Sequence, residues 1–315
     1  MPKVTIVGAG HVGMSTALFI AKTQLADIVL IDVLDDMARL KAEDALFTGP
    51  LQQYESRIQG SRDVSLMADS DIVVITAGKT RTPGMSRDDL LQVNTLIVRS
   101  VAEQVKTYSP AAFVIVVTNP LDAMAYVTLQ LTGFQPHRVM GMAGILDSTR
   151  FQYFIAEELG VHVTETSALV LGSHGDSMVP LSRYTTVGGI PVTEFLDEAV
   201  IERLVERTRN GGSELVGYLK TGSAFWAAAA SITEMVTCIL TDHKRILPCS
   251  AYLNGQYGIR DIFIGVPVQL GKDGIEDIVE LELTAYELAQ LRQSAGAAQE
   301  TIDRLKEVNL CCDSQ

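Results

Sequence analysis

Three glycines at the end of the first apolar run constrain the fold of this 315-residue chain more than any other feature. Gly8, Gly10 and Gly13 form a G-x-G-x-x-G motif between a β-branched run at 4–7 and an amphipathic stretch at 12–22. There Gly8 allows a tight turn, Gly10 lets the backbone approach a pyrophosphate, and Gly13 lets the helix pack close to the strand. A pyrophosphate is favoured at a helix N-terminus, where N–H groups are free. The motif therefore predicts a dinucleotide-binding turn, whereas a plain tight turn would explain the glycines alone.

An acidic residue ends the next predicted strand. Asp32 closes the run 28–32, close to the spacing of about 20 residues typical of dinucleotide-binding folds. Its carboxylate can accept a hydrogen bond from a ribose 2′-hydroxyl and would repel a 2′-phosphate. Asp32 could also be only a solvated strand end. Together with the glycines in their strand–turn–helix context, it predicts NAD as the cofactor rather than NADP.

The order of apolar patterns predicts an α/β fold. Strand-like runs at 4–7, 28–32, 72–76, 113–118 and 138–141 alternate with helical patterns such as 12–22 and 94–108. Most of these runs are continuously apolar, which is typical of strands buried on both faces of a parallel sheet. We therefore expect a Rossmann-type, doubly wound parallel sheet in a dinucleotide-binding domain spanning 1–143.

The pattern changes after about residue 144, and we expect an α+β catalytic or substrate domain at 144–315. Short strands are predicted at 169–172 and 184–192, helices at 194–219 and 223–240, and antiparallel strands at 245–257 and 262–283. A glycine pair at 211–212 suggests a kink in the first of these helices. Thr284 and Glu287 form a capping-box pattern that opens the last helix. No Pro-rich linker separates the halves, so we expect them to pack tightly.

Composition excludes several classes of function. Lys and Arg number 25 against 38 Asp and Glu, so the net charge of −13 disfavours nucleic acid and anionic membranes as partners. The four cysteines show no metal-site spacing, and we expect no metal and free thiols in a reducing compartment. The apolar runs are shorter than the roughly 20 residues that span a bilayer, and the start shows no targeting pattern. These features predict a cytoplasmic protein.

A candidate catalytic group follows the predicted strand at 169–172. His174 lies in a polar turn, and Asp147 and Arg150 are three residues apart on a predicted helix, hence on one face. Asp147 could fix the tautomer of His174 and raise its pKa, and Arg150 could hold a substrate carboxylate through two parallel hydrogen bonds. A buried structural histidine and a local ion pair are the alternatives.

Two loops add candidate substrate contacts. Ser86 and Asp89 predict a helix start, which places Arg87 in the first turn, where the helix dipole disfavours a cation. Such local conflicts concentrate at functional sites, although ordinary solvated charges would also explain this loop. Asn119 ends a central strand at the edge where ligands bind in such sheets, and a simple Asn-Pro turn is the alternative.

Taken in order, five motifs resemble the lactate/malate dehydrogenase superfamily, and most closely its lactate-dehydrogenase-like malate dehydrogenases, over essentially the whole chain. They are GAGHVG, ITAGKTRTPGMSRDDL, VVTNPLD, GILDSTR and GSHGDSMVP. The resemblance implies that His174 is the catalytic acid/base, with Asp147 as its orienting partner. It implies that Arg150 binds the C1 carboxylate and that Arg87 polarises the reacting carbonyl from a closing loop. The implied cofactor contacts are those of Gly8, Gly10, Gly13, Asp32, Asn94, Thr118 and Asn119, and Asn119 is also implied to touch substrate.

Arg81 decides the substrate in this resemblance, because lactate dehydrogenases of the family generally carry Gln there and malate dehydrogenases carry Arg. A second carboxylate on oxaloacetate would pair with Arg81, and pyruvate would leave that guanidinium unpaired. The implied reaction is the NAD-dependent, reversible oxidation of (S)-malate to oxaloacetate, as in the tricarboxylic acid cycle. Lactate or other 2-hydroxyacid dehydrogenases, and a non-catalytic NAD-binding protein, are the alternatives. The resemblance also implies a homotetramer, with a homodimer as the alternative.

Two segments depart from the family pattern. Residues 223–226 replace a more usual Tyr-Tyr-Ala-Pro sequence, which affects the pocket wall near Ala224. Residues 33–36 differ from the common continuation after Asp32, on the adenosine side of the expected cofactor site.

Overall fold

The computed structural model of the chain describes residues 1–80, 85–219 and 224–307. Within these residues the α-helices are α1 His11–Thr23, α2 Asp35–Gln52, α3 Arg87–Tyr108, α4 Leu121–Thr132, α5 Gly144–Leu159, α6 Glu198–Leu219, α7 Trp226–Thr241 and α8 Ala285–Glu307. The strands are β1 Lys3–Val7, β2 Asp27–Ile31, β3 Ile58–Ser61, β4 Ile72–Ile75, β5 Phe113–Val116, β6 Val139–Gly141, β7 Thr166–Ser167, β8 Val170–Leu171, β9 Val179–Pro180, β10 Thr186–Val187, β11 Ile190–Pro191, β12 Arg245–Asn254, β13 Arg260–Gly271 and β14 Gly274–Ile278.

A nine-stranded sheet runs through both halves of the chain, in the order β14-β13-β12-β6-β5-β4-β1-β2-β3. Six neighbouring strands of this sheet pair in parallel, in the order β6-β5-β4-β1-β2-β3, which is the strand order of a Rossmann fold. The antiparallel strands β12 to β14 extend this sheet from β6, where Ser250 pairs with Gly141. The predicted Rossmann-type fold class with an α+β second half is therefore confirmed.

The core explains why the central strands read as continuous apolar runs. Ile6 of β1, Ile75 of β4 and Ile115 of β5 are fully buried, because helices cover both faces of the sheet. The same apolar cluster continues into the second half through Phe263 of β13. A second, smaller cluster lies between α5, α6 and the short strands, around Phe151.

The second half differs from the sequence prediction at its turns. The single strand expected at 262–283 is two strands, β13 and β14, joined by a tight turn between Gly271 and Gly274, whose φ is 79°. The Asp273-Gly274 pair in this turn is a typical hairpin signal, which the sequence prediction overlooked. The strand-like segment expected at 184–192 around the glycine pair 188–189 consists of two short paired strands, β10 and β11. Helix α6 begins at Glu198 rather than 194 and continues through the glycine pair 211–212.

The carboxyl ends of the parallel strands meet at one edge of the sheet. Gly8 follows β1, Asp32 follows β2, and Thr118 and Asn119 follow β5. Because ligands bind at this edge in doubly wound folds, the topology gathers these residues at one crevice. Among the described residues, no helix is long and apolar enough to span a membrane.

Candidate active site

The glycine turn forms an open cradle before α1. Gly8 adopts a φ of 111°, and its N–H donates to the carbonyl of Ile31 over 2.7 Å. A Cβ on Gly13 would lie 1.8 Å from the Gly8 oxygen, whereas a Cβ on Gly10 would meet nothing within 4 Å. Gly10 caps α1 without a side-chain hydrogen bond, and the first turn carries no acidic residue. The cradle thus leaves room and helix N–H groups for an anion, and it fits the pyrophosphate of a dinucleotide.

Asp32 is held against the same turn. Its Oδ2 accepts from the Ala9 N–H at 2.7 Å, and its Oδ1 accepts from the Leu34 N–H at 3.1 Å. From α2, Lys41 Nζ donates to the Ala9 carbonyl at 2.5 Å. The half-buried carboxylate retains acceptor capacity, as a ribose hydroxyl requires. Lys41 was missed in the sequence because its position on α2 carries no motif.

Asn94 and Thr118 brace the adjacent loops from inside. The buried Asn94 amide donates to the Asn119 carbonyl at 2.7 Å and bonds the backbone N–H of Lys79, also at 2.7 Å. Thr118 Oγ1 donates to the Ala77 carbonyl at 2.7 Å. Asn119 itself is exposed at the crevice and precedes a cis peptide bond. These side chains fix the backbone that lines the edge of the sheet.

His174, Asp147 and Arg150 come together at the start of α5. His174 Nδ1 lies 2.8 Å from Asp147 Oδ2, and Arg150 Nη1 lies 3.4 Å from Asp147 Oδ1. The Asp147 side chain is only 1% exposed, while those of His174 and Arg150 are 17% and 14% exposed. The charge of Asp147 raises the pKa of His174, and burial and Arg150 oppose that rise. His174 can therefore bind and release a proton at Nε2, the ring nitrogen that does not contact Asp147, and the guanidinium of Arg150 lies next to the same carboxylate.

The backbone around His174 is held by hydrogen bonds to two other elements, β13 and α8. Gly172 has a φ of 85° and exchanges two backbone hydrogen bonds with Gly265 of β13, at 2.9 and 3.1 Å. The Ser173 N–H donates to Ser294 Oγ of α8 at 2.8 Å. Gly175, with a φ of 135°, follows His174 and turns the chain away. Positive φ angles of this kind favour glycine, so this turn depends on the glycines that flank Ser173 and His174.

A buried carboxylate that sequence reasoning left without a role lies behind this turn. Asp122 of α4 accepts hydrogen bonds from the hydroxyls of Ser173 and Ser250. The sequence contained it only as the last residue of the Asn-Pro-Leu-Asp motif. Its partners come from distant segments, which is why spacing along the chain could not reveal the cluster.

Two of the predicted substrate contacts cannot be placed. Arg81 lies outside the described residues, and so does the side chain of Arg87. The backbone at Arg87 does begin α3, with Ser86 and Asp89 forming the expected capping box. Arg150 lies against α6, where a Cβ on Gly211 would come 3.5 Å from its Cδ. The glycine pair of α6 therefore lies next to the Arg150 side chain, and a Cβ at either position would make an ordinary contact with it.

The segment that departs from the family pattern packs on α1. The ring of Phe225 stacks on His11 with centroids 5.1 Å apart, and Trp226 stacks on Phe19 at 5.9 Å. His11, which sequence reasoning left without a role, therefore connects the glycine turn to the start of α7.

Comparisons with known proteins identify the family. A sequence model described as "lactate/malate dehydrogenase, NAD binding domain" matches residues 2–141, and one described as "lactate/malate dehydrogenase, alpha/beta C-terminal domain" matches 145–309. The chain belongs to the lactate/malate dehydrogenase family. The resemblance drawn from the motifs is confirmed, and so is NAD as the cofactor of the first half.

Relatives match over nearly their whole length. A malate dehydrogenase of Thermomicrobium roseum is 52% identical, over 97% of this chain and 99% of the relative. A solved structure of malate dehydrogenase from Salinibacter ruber is 48% identical with a TM-score of 0.93, covering 98% of this chain and 99% of that one. A lactate dehydrogenase from Cryptosporidium parvum, complexed with lactic acid and nicotinamide adenine dinucleotide, is 39% identical with a TM-score of 0.93, covering 97% and 98%.

Among the described residues, no group of three or more His, Cys, Asp or Glu side chains is placed to hold a metal ion.

Proposed function

We propose that this chain is an NAD-dependent malate dehydrogenase that catalyses the reversible conversion of (S)-malate and NAD⁺ to oxaloacetate, NADH and a proton. One observation carries the proposal: Asp147 is buried between His174 and Arg150, beside an NAD-binding sheet edge. That arrangement supplies a proton acceptor and a carboxylate-binding cation within one site. The names of relatives with about 50% identity support the same reaction.

His174 carries the proton in the proposed mechanism. In malate oxidation, neutral His174 takes the C2 hydroxyl proton at Nε2, while its Nδ1–H donates to Asp147. The negative charge of Asp147 then stabilises the imidazolium. When bound, NAD⁺ supplies the acceptor for the hydride that leaves C2. In the reverse direction, protonated His174 returns its proton to the carbonyl oxygen of oxaloacetate, and its raised pKa favours that state.

Arginines hold the two carboxylates in this proposal. One of the five N–H donors of Arg150 bonds to Asp147, which leaves the others for the C1 carboxylate of the substrate. Arg81 takes the second carboxylate, and Arg87 polarises the reacting carbonyl, as the family resemblance implies. Desolvating Arg81 beside the neutral methyl of pyruvate would leave its charge unpaired, which favours oxaloacetate.

A spectrophotometric assay tests the reaction directly. NADH oxidation is followed with oxaloacetate and with pyruvate, and we expect a strong preference for oxaloacetate. Arg81→Gln should shift the ratio of the two kcat/KM values toward pyruvate, whereas exposed Arg57→Gln, a matched change outside the site, should leave it unaltered. Wild-type preference for pyruvate would instead favour a lactate dehydrogenase, for which the Cryptosporidium parvum structure gives a precedent of the same fold.

The proton carrier has its own test. His174→Asn should lower kcat about 10²- to 10⁴-fold, the usual contribution of general acid–base catalysis, while NADH binding measured by fluorescence persists. A nearly fully active variant would remove His174 from this role. Tight NADH binding without turnover of any 2-oxoacid by the wild type would instead favour a non-catalytic NAD-binding protein.

A homo-oligomer, a homotetramer or otherwise a homodimer, is part of the proposal. Four apolar side chains lie on one side of α2 and are 43% to 85% exposed, and we call them the α2 patch: Met37, Leu40, Phe47 and Leu51. A row of large apolar side chains at helical spacing marks an interaction surface when it faces water. A second copy of this chain is the proposed partner for the α2 patch.

The remaining parts of the proposal concern the setting of the enzyme. The dinucleotide-binding domain spans 1–143 and the catalytic domain 144–315. The substrate partner is a small dicarboxylic acid, and the reaction belongs to the tricarboxylic acid cycle. We place the enzyme in the cytoplasm, and the free thiols of buried Cys238 and Cys249 agree with a reducing compartment.

A further inference from the structure

A second buried carboxylate lies directly behind the proton-carrying histidine. Asp122, in the first turn of α4, is 3% exposed. Ser250 Oγ of β12 donates to its Oδ1 over 2.6 Å, and the Ser173 hydroxyl donates to its Oδ2. The backbone N–H of His174 also bonds to this carboxylate. Asp122 therefore joins the first half of the chain to two segments of the second half, one of which carries His174.

The surroundings of Asp122 suit the ionised form. The donors are two hydroxyls and one N–H, and a distance of 2.6 Å is typical of a hydroxyl donating to a charged carboxylate. A negative charge in the first turn of a helix is also stabilised by the helix dipole. Burial is the largest influence on Asp122 and raises its pKa above the usual value, while the hydrogen bonds from Ser173 and Ser250 and the nearby His174 act in the opposite direction.

We propose that Asp122 is a positioning residue for His174, an ionised carboxylate that holds the Ser173–His174 segment in place through the Ser173 hydroxyl and the His174 N–H. The inference rests on the proposed role of His174 and deepens it. Ser250 holds Asp122 from the opposite side, so that the carboxylate cannot turn away from the segment. Asp147 orients the imidazole ring, and Asp122 fixes the backbone from which that ring extends.

A second consequence is electrostatic. Three charged groups face His174 from the described elements packed around it: Asp147 and Arg150 from α5, and Asp122 from α4. Both carboxylates favour the imidazolium and Arg150 disfavours it. Asp147 contacts the imidazole directly, whereas Asp122 contacts Ser173 and affects the ring only by its charge. The influence of Asp122 on the titration of His174 must therefore be the smaller of the two.

The test uses the full chain and the near-isosteric change Asp122→Asn. The titration of His174 is followed by NMR of its C2–H in protein labelled at histidine, with His174→Asn identifying the signal among five histidines. We expect the midpoint to move to lower pH, by less than Asp147→Asn moves it. We also expect kcat/KM for oxaloacetate to fall about 10- to 100-fold, which corresponds to one lost hydrogen bond to a charged group.

Two further variants make the result decisive. Asp71→Asn removes a carboxylate at the amino end of β1, opposite the strand end that faces the site, where Asp71 accepts the Lys3 N–H at 2.7 Å. This control variant should leave the midpoint of the His174 titration unchanged. Ser173→Ala keeps the charge but removes the link, so kcat should fall about tenfold with the KM for oxaloacetate and the His174 midpoint unchanged.

Each outcome decides the proposal. An unmoved His174 midpoint in Asp122→Asn would show that Asp122 is neutral or uncoupled, and the proposal would be wrong. If Asp122→Asn does not fold, Ser173→Ala decides the question. An unaltered kcat in that variant would overturn the proposal, and the expected tenfold loss of kcat would support it. The NMR titration needs no turnover, so it still reports on Asp122 if the wild type fails to reduce oxaloacetate, a failure that would count against the proposed function alone.

Discussion

Replacing Asp147 by Asn removes the charge closest to His174 and keeps the shape of the side chain. The contact between His174 Nδ1 and Asp147 Oδ2 is 2.8 Å long, and Asp147 is 1% exposed. At an effective dielectric constant of about 20, unit charges at this distance attract by about 6 kcal/mol. Burial of His174 and the charge of Arg150 oppose this attraction, so the net effect on the imidazolium is smaller but of the same sign. The variant should lower the pKa of His174.

The kinetic consequence of Asp147→Asn has a definite direction. In the proposed mechanism, oxaloacetate reduction needs protonated His174, so the pH above which kcat/KM declines should move to lower pH in the variant. At neutral pH, kcat/KM should fall about 10²- to 10⁴-fold, because the acid is both deprotonated and misoriented. The assay is NADH oxidation between pH 5 and 9 (roughly the range in which histidine charge changes).

The pH dependence of thermal stability provides a second test of the Asp147→Asn variant. The pKa of His174 is raised in the folded protein, so its protonation stabilises the fold below the ordinary histidine pKa. This contribution is lost as pH rises through the raised value, and Asp147→Asn should flatten that part of the Tm–pH curve. Glu157→Gln is the matched control, because Glu157 pairs with Arg207 at the same 2.8 Å but on the surface of α5. Identical pH profiles of kcat/KM for Asp147→Asn and wild type would refute the reasoning.

Three other predictions address the cofactor cradle and the α2 patch. Asp32→Ser should raise the ratio of kcat/KM with NADPH to that with NADH at least about tenfold, since a like charge beside the 2′-phosphate is removed; an unchanged ratio would show that Asp32 does not face the ribose. Gly13→Ala would place a methyl group 1.8 Å from a backbone oxygen, so it should cost about 1–3 kcal/mol in urea unfolding. Gly10→Ala meets open space and should weaken NADH binding by fluorescence titration with little change in unfolding; equal stability losses in the two variants would contradict the cradle geometry. Phe47→Glu in the α2 patch should shift the mass measured by light scattering toward the monomer, whereas Tyr286→Glu, an equally exposed aromatic on α8, should not; an unshifted Phe47 variant would remove the patch from the interface.

Local sequence rules predicted the nucleotide-binding half well. The glycine motif needs only a strand, a turn and the start of a helix, and it is complete by residue 13. Continuous apolar runs marked the central strands because burial on both faces leaves no polar positions. The helix start at Ser86 was also predicted, since a capping box is formed by residues three apart.

Prediction failed where a feature depended on a competing signal or on a distant partner. The turn between β13 and β14 was missed because the apolar runs on both sides were joined into one strand, although Asp273-Gly274 is a local hairpin signal. No helix was predicted at α2, because its buried side carries only small residues while the large apolar residues of the α2 patch are exposed; the buried residues are Ala38, Ala42, Ala45 and Gly49. Lys41 and Asp122 received no role because their partners lie 32 and 51 residues or more away along the chain.

The amino-acid sequence alone predicted the Rossmann-type fold and NAD as the cofactor, because the apolar runs and the glycine motif are local patterns. It also singled out His174 as the proposed proton carrier, through the motifs that resemble the family. Only the tertiary structure decided which groups surround His174. It brings Asp147, Asp122 and Ser250 from three separate elements to one turn. Parallel strands end at a common edge of the sheet, and β12 joins that sheet beside β6, so side chains far apart in sequence are buried against one another. Because these side chains are buried away from water, their charges and hydrogen bonds interact more strongly than they would at the surface.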